Sequence, residues 1–184
     1  MGRPSNRAER RTQILRAFER VLAEHGYAGA TIAAVALEAG LAPGLLHHHF
    51  ESKDELLGAL LEDLIGRFRR NSRRAEARAA SALTAYGDAA LRLDERADVT
   101  AARCWVGLFA EAVRNPALFK RMRRVIDAEI GAIEARSRGA LSTPDASAVL
   151  AFIVGALVLG AFAPQKTAGF AAPALQTLIT ALRS

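Results

Sequence analysis

Cysteine occurs once, at Cys104, so the chain offers no internal disulfide framework and no CxxC metal or redox motif. A reducing setting follows as the simpler expectation, and the cytoplasm is its default. No GxGxxG, GxSxG, HExxH or P-loop pattern occurs, so no enzyme chemistry is assigned and no cofactor is expected. From Met1 to Arg11 there is no apolar run of signal-peptide type, and Asn6 stands where a myristoylation pattern needs Ser or Thr, so export and lipid anchoring are not expected. Aromatic residues make up 6% of the chain and lysine appears 3 times against 22 arginines. Alanine is abundant, with 40 among 184 residues, and 51% hydrophobic with 24% charged residues is an ordinary globular balance. Such an alanine content favours helices. The 25 basic and 19 acidic residues leave a net charge of +6, which suits a polyanionic partner such as nucleic acid or an acidic membrane surface.

Periodicity then places the elements. Ile14, Leu15, Phe18, Val21 and Leu22 form the apolar stripe of a first helix that Gly26 ends, with Tyr27 packing beyond it. Thr31 is a suitable cap for a short second helix with Ile32, Val35, Ala36 and Ala39 inward, and Gly40 breaks it. Pro43 fits the first turn of a third helix that buries Leu46 and Phe50. Ser52 and Glu55 read as a capping box before a long fourth helix striped by Leu56, Leu57, Leu60, Leu61, Leu64, Ile65 and Phe68. Its distal arginines, from Arg67 to Arg78, read as a solvated face. Further helices are predicted over about 81–93, 98–114, 117–138, 145–163 and 169–183, with breaks at Asn115-Pro116, Thr143-Pro144 and Pro164. The fold class is all-α.

Residues 31–50, TIAAVALEAGLAPGLLHHHF, place two short helices around a glycine turn, the geometry of a helix-turn-helix. With Val35, Leu41 and Leu46 in the seam, Pro43, Gly44, Leu45, His47 and His48 remain free outside. In such a unit the second helix enters the major groove of DNA. Three adjacent histidines point about 100° apart on a helix, so His47, His48 and His49 are not expected to share a metal ion. Residues 1–24 carry six arginines against three acids, and Arg3, Arg7 and Arg11 could contact phosphates or a minor groove.

Residues 13–57 resemble the DNA-binding domain of the TetR (tetracycline-repressor-like) family. The resemblance rests on Gly26-Tyr27, Thr31, Val35-Ala36, the run from Ala39 to Phe50, and Ser52-Lys53-Asp54-Glu55-Leu56. Ala42 stands where that family usually has Ser, and His47 where it usually has Tyr. The resemblance implies DNA contacts from Thr31, Ala42, Pro43, Gly44, Leu45, His47 and His48, and a phosphate contact from Lys53 at the start of the fourth helix. It also implies a division into a DNA-binding part over 1–52 and an effector-binding and dimerising part over 53–184. The partners implied are double-stranded DNA with a palindromic operator, a second copy of the chain, and a small-molecule effector that releases a repressor from DNA.

The run from Ala146 to Ala163 has 18 uncharged residues, enough to raise a transmembrane helix. Its lack of basic or aromatic flanks favours burial in protein instead. Family resemblance makes it a dimer helix, with Val149, Phe152, Ile153, Ala156, Gly160, Leu175 and Leu178 as interface candidates. Tyr86, Trp105, Phe109, Glu111 and Phe119 are the effector-pocket candidates by residue type. The stretch Cys104 to Phe109 followed by Asn115-Pro116 is faintly similar to the choline-sensing branch of the family, where aromatics could cage a quaternary ammonium. Cys104 itself reads as a small buried hydrophobe.

Overall fold

Residues 5–91, 99–167 and 169–183 are described by the computed structural model, and every regular element among them is a helix. Helix α1 (Ser5–Gly29) buries Ile14, Phe18, Val21 and Leu22, and Gly26 interrupts it at φ +67°, a left-handed conformation that glycine adopts without steric cost. Thr31 caps α2 (Ile32–Glu38), its hydroxyl accepting the Ala34 N–H at 3.1 Å. Gly40, at φ +64°, turns the chain into α3 (Pro43–His47), where Pro43 occupies the first turn.

Ser52 caps α4 (Lys53–Glu76) by accepting the Glu55 N–H at 3.0 Å. The return half of the predicted box differs: Glu55 Oε2 accepts the N–H of Glu51, one residue before the cap, at 2.7 Å. A reciprocal capping box occurs instead at Ser142 and Asp145, with Asp145 Oδ2 taking the Ser142 N–H at 3.0 Å. The serine hydrogen bonds hold the Asp145 carboxyl below its ordinary range. That box starts α8 (Thr143–Phe162) two residues before the predicted start, because Pro144 belongs to the first turn and does not precede it.

The remaining helices are α5 (Ala82–Ala90), α6 (Val99–Ala112), α7 (Pro116–Ser137), α9 (Pro164–Thr167) and α10 (Ala171–Leu182). Pro164 ends α8 as expected but also opens the single turn of α9. The predicted ends at residues 92, 93 and 98 lie outside the described residues.

Two apolar cores result. The first joins the stripes of α1 to α4 with Cys104, Leu108 and Ala112 of α6 and Leu118 and Met122 of α7. The contact is close, since a Cβ on Gly107 would lie 3.6 Å from Leu22 Cγ. Cys104 is fully buried there, as a small hydrophobe. The second core gathers Leu83 and Tyr86 of α5, Ile133 of α7, Val149, Ile153 and Ala156 of α8, and Leu175 and Ile179 of α10.

Helix α4 runs from one core to the other, and its arginines fasten it on both flanks. Arg67 pairs with buried Glu19 of α1 at 2.7 Å and with Asp63 at 3.0 Å. Arg69 pairs with buried Glu129 of α7 at 2.6 Å. The solvated-face reading therefore fails for Arg67, while Arg69 stays exposed as read and still reaches a buried carboxylate on a neighbouring helix. Arg70, Arg73, Arg74 and Arg78 are exposed.

The expected dimer residues are corrected in the same way. Val149, Ile153, Ala156, Gly160 and Leu175 are buried inside the protomer, since α8 turns its 3.6-period inner stripe onto its own neighbours. Phe152 and Leu178 are only partly buried. The outer stripe of α8 is Ala148, Ala151, Gly155, Leu159 and Phe162, with Leu159 56% and Phe162 77% exposed.

Candidate nucleic-acid interface and internal cavity

Helix α3 has one inward residue, Leu46, which is fully buried, while Pro43, Gly44, Leu45, His47 and His48 are exposed. Ala42 is also exposed at the helix start and supplies no side-chain cap, as the missing hydroxyl requires. Thr31 is exposed at the start of α2, and Arg7 is exposed on α1. These residues form the free outer surface of the helix-turn-helix. His49 turns partly inward, and burial followed by the charges of Arg7 and Arg11 lowers its pKa.

Two residues expected at DNA are engaged within the protein. The Arg11 guanidinium lies 4.0 Å from the Phe50 ring centroid, donates to the His49 carbonyl and stands 3.6 Å from Glu55. It joins α1 to the connection between α3 and α4. Lys53 Nζ lies 4.0 Å from the Tyr27 ring centroid and donates to the Tyr27 carbonyl. Burial lowers the Lys53 pKa, against the opposing charges of Glu111 and Asp54. The Tyr27 hydroxyl donates to Asp54 at 2.7 Å, and burial with that bond raises its pKa above the ordinary range. Arg3 lies outside the described residues. Sequence reasoning missed Gln13, whose side chain donates to the Ala39 carbonyl at 2.7 Å and fixes α2 against α1. No sequence pattern marks it.

A cavity of about 130 Å³ lies between α4, α5, α6, α7 and α8. Three of the pocket candidates, Tyr86, Trp105 and Phe109, line it together with Phe68, Ile126 and Glu129 among others. Glu111 and Phe119 are not among its lining residues, because Glu111 stands near Lys53 and Tyr27, and Phe119 is 53% exposed on α7. Phe68 meets Tyr86 edge to face at 5.2 Å.

Glu129 is the polar group of this lining that the sequence reading missed. It is 7% exposed, and its Oε1 accepts from Arg69 Nε at 2.8 Å and Nη2 at 2.6 Å. Its Oε2 accepts the Tyr86 hydroxyl at 2.8 Å. Burial, then the carboxylate, raises the Tyr86 pKa well beyond its usual value. Arg136 stacks 4.9 Å from the Tyr86 ring and donates to Glu76 of α4 at 2.8 Å. A signal was present: Glu129 shares the helical stripe of Leu118, Met122 and Ile133, an acid among apolar neighbours.

An exposed second helix on a compact three-helix unit, followed by an all-helical region around a cavity, defines a helix-turn-helix protein of two-core, all-α type. Residues 14–60 match the model of the bacterial regulatory proteins, tetR family. Over 109 residues the chain is 33% identical to the HTH-type transcriptional regulator BetI of Rhizobium meliloti, covering 58% of this chain and 53% of that protein. The chain thus spans about half the length of the first curated relatives it matches. A transcriptional regulator from Rhodococcus sp. Rha1 superposes with a TM-score of 0.82 at 25% identity, covering 94% of this chain and 95% of the other. A regulator from Saccharomonospora viridis in complex with choline superposes at 0.75 and 19% identity, covering 94% and 96%, which shows a shared fold.

Proposed function

We propose that the chain is a sequence-specific transcriptional regulator, a homodimeric repressor that leaves a palindromic operator when a small molecule fills the cavity. The observation that carries this reading is α3, which buries Leu46 and presents Pro43, Gly44, Leu45, His47 and His48 outward on a capped, rigid unit. A helix held this way fits the major groove with its first residues over base edges. The same neighbourhood holds Arg7 and Arg10, in keeping with a net positive surface.

Dimerisation is supported by the outer face of α8 and by α10. Leu159, Phe162 and Phe170 are 56%, 77% and 46% exposed, a patch that a second copy would cover. Gly155 and Ala151 permit close approach of two such helices. By length and composition α8 could also cross a membrane, at mean hydropathy 2.1. Its buried inner stripe and the cover of α6, α7 and α10 favour the dimer reading. Recovery of the untagged protein as a detergent-free dimer is the expected result, and recovery only with membranes overturns it.

Coupling would pass through α4. A ligand pressing on Tyr86 and Glu129 displaces Arg69, and only five residues separate the end of α3 from the start of α4. A shift of α4 alters the spacing of two α3 helices across a dimer, which lowers operator affinity. The protein would work in the cytoplasm, where bacterial DNA is accessible. Selection from a randomised duplex library at about physiological salt tests the whole reading. Enrichment of an inverted repeat is expected, and binding without sequence preference overturns it. His48→Ala should change the base preference at one position of each half-site without altering the salt dependence.

A further inference from the structure

The small cavity shares one wall with a much larger cleft. Phe68, Ala90, Trp105 and Leu157 line both, the inner space of about 130 Å³ and an outer, open cleft of about 690 Å³. The two differ in chemistry. Apart from Glu129 the inner lining is apolar and aromatic. The outer cleft is lined by Arg67, Arg74, Arg78 and Asn71, with Asp88 as its acid among the described residues.

Charge pairing decides which of these groups are available to a ligand. Glu129 already accepts three hydrogen bonds, two from Arg69 and one from Tyr86, so its charge is compensated and the inner cavity offers little to a cation. Arg67 is committed to Glu19 and Asp63. Arg74 and Arg78 are exposed and form no ion pair among the described residues. Guanidinium forks of this kind match paired oxygens of carboxylates and phosphates. For size, an apolar cavity of about 150 Å³ accepts benzene.

We propose that the ligand of this site is a small amphipathic organic anion. A benzene-sized apolar group sits in the inner cavity against Phe68, Tyr86, Trp105 and Phe109, and a carboxylate or phosphate lies beyond Trp105 against Arg74 and Arg78. The ligand class rests on the effector reading above, and it differs from the quaternary ammonium in the Saccharomonospora complex.

Trp105 is the chain's single tryptophan and lines both spaces, so its fluorescence reports binding directly. The full chain is titrated with four probes of one skeleton: 3-phenylpropionate, 2-phenylethyl phosphate, 3-phenylpropanol and 3-phenylpropyltrimethylammonium. At least one anion should bind about tenfold more tightly than the alcohol, with the ammonium weakest. The two anions, compared with each other, tell a carboxylate site from a phosphate site. The Arg74→Gln/Arg78→Gln variant should lose the anion preference and keep the alcohol affinity, and Val154→Phe should weaken all four. Unchanged thermal melts establish that both variants are folded. Equal or tighter binding of the alcohol or ammonium, survival of the anion preference in the arginine variant, or no binding of any probe would overturn the proposal. Release of the selected operator is measured in parallel. Anion binding that leaves DNA bound would refute the effector reading while the ligand class stands.

Discussion

The two cores differ in how far apart along the chain their contributors lie. The first is assembled mainly from four successive helices with adjacent caps and turns, Thr31, Gly40, Pro43 and Ser52, and then borrows Leu108 and Cys104 from α6. The second draws on residues from Leu83 to Ile179 and seats a polar network, Arg69, Glu129 and Tyr86, beside its cavity. Local signals fix short elements against one another at low entropic cost, whereas distant helices must be held by packing and buried charge. The part that presents a rigid surface is the locally specified one. The part that encloses space is the one held by long-range contacts.

The comparison breaks most visibly at Glu129. Glu129→Ala leaves the buried Tyr86 hydroxyl without its acceptor and removes packing beside it, while Arg69 stays solvated, and should cost about 3 kcal/mol in urea unfolding. Glu129→Gln retains an acceptor for Tyr86 and should cost less. A loss below about 1 kcal/mol for the alanine variant would mean that packing alone holds the second core.

Leu108→Ala tests the shared boundary, because Leu108 lies on α6 yet is fully buried in the first core. A loss of about 2–5 kcal/mol is expected. Amide exchange should accelerate in α1 and α4 before α10, and the reverse order would assign α6 to the second core. Gly87→Val sharpens the packing of the second core, since a Cβ on Gly87 would stand 2.6 Å from Leu175 Cδ2 on α10. Overpacking there should cost about 1–3 kcal/mol.

Ser52→Ala and Ser142→Ala remove one cap from each region and should each cost about 1 kcal/mol by thermal unfolding. Ser142 is bonded reciprocally to Asp145 and Ser52 is not bonded in that way to Glu55, so the larger loss is expected at Ser142. The smallest effect concerns His49. Its folded pKa lies below the ordinary 6.5, so between those values the unfolded chain binds the proton more readily. Stability is therefore full above pH 6.5 and declines as pH falls through the folded value. His49→Gln should flatten the melting temperature between pH 7.5 and 5.5, and an unchanged pH dependence would refute this account.

Much of the first region was legible because its signals are short-ranged. A glycine at positive φ, a hydroxyl one turn before an N–H, and a proline in a first turn depend on a few neighbouring residues; Gly40, Thr31 and Pro43 stand as read, and Gly26 breaks α1 but does not end it. The errors fall where two helices choose which faces meet. Val149 and Ile153 were legible as apolar but not as inward, because α8 is apolar on nearly every side and its sequence carries no preferred stripe. Arg67 looked like a solvent-facing charge and Arg69 gave no sign of a buried partner, since Glu19 and Glu129 are far away in the chain. Lys53 and Arg11 were legible as basic and near α3, but not as bound to Tyr27 and His49.

The amino-acid sequence by itself determined that the chain is helical, where most helices start and stop, and which residues of α3 point away from Leu46. Those properties follow from spacing, capping and backbone conformation within a turn or two. Only the tertiary structure decided that α6 completes the first core, that Glu129 meets Arg69 and Tyr86, and that a cavity shares its wall with an arginine cleft. Each of these needs side chains from helices distant in the chain to converge, and neither periodicity nor charge states which helices will meet.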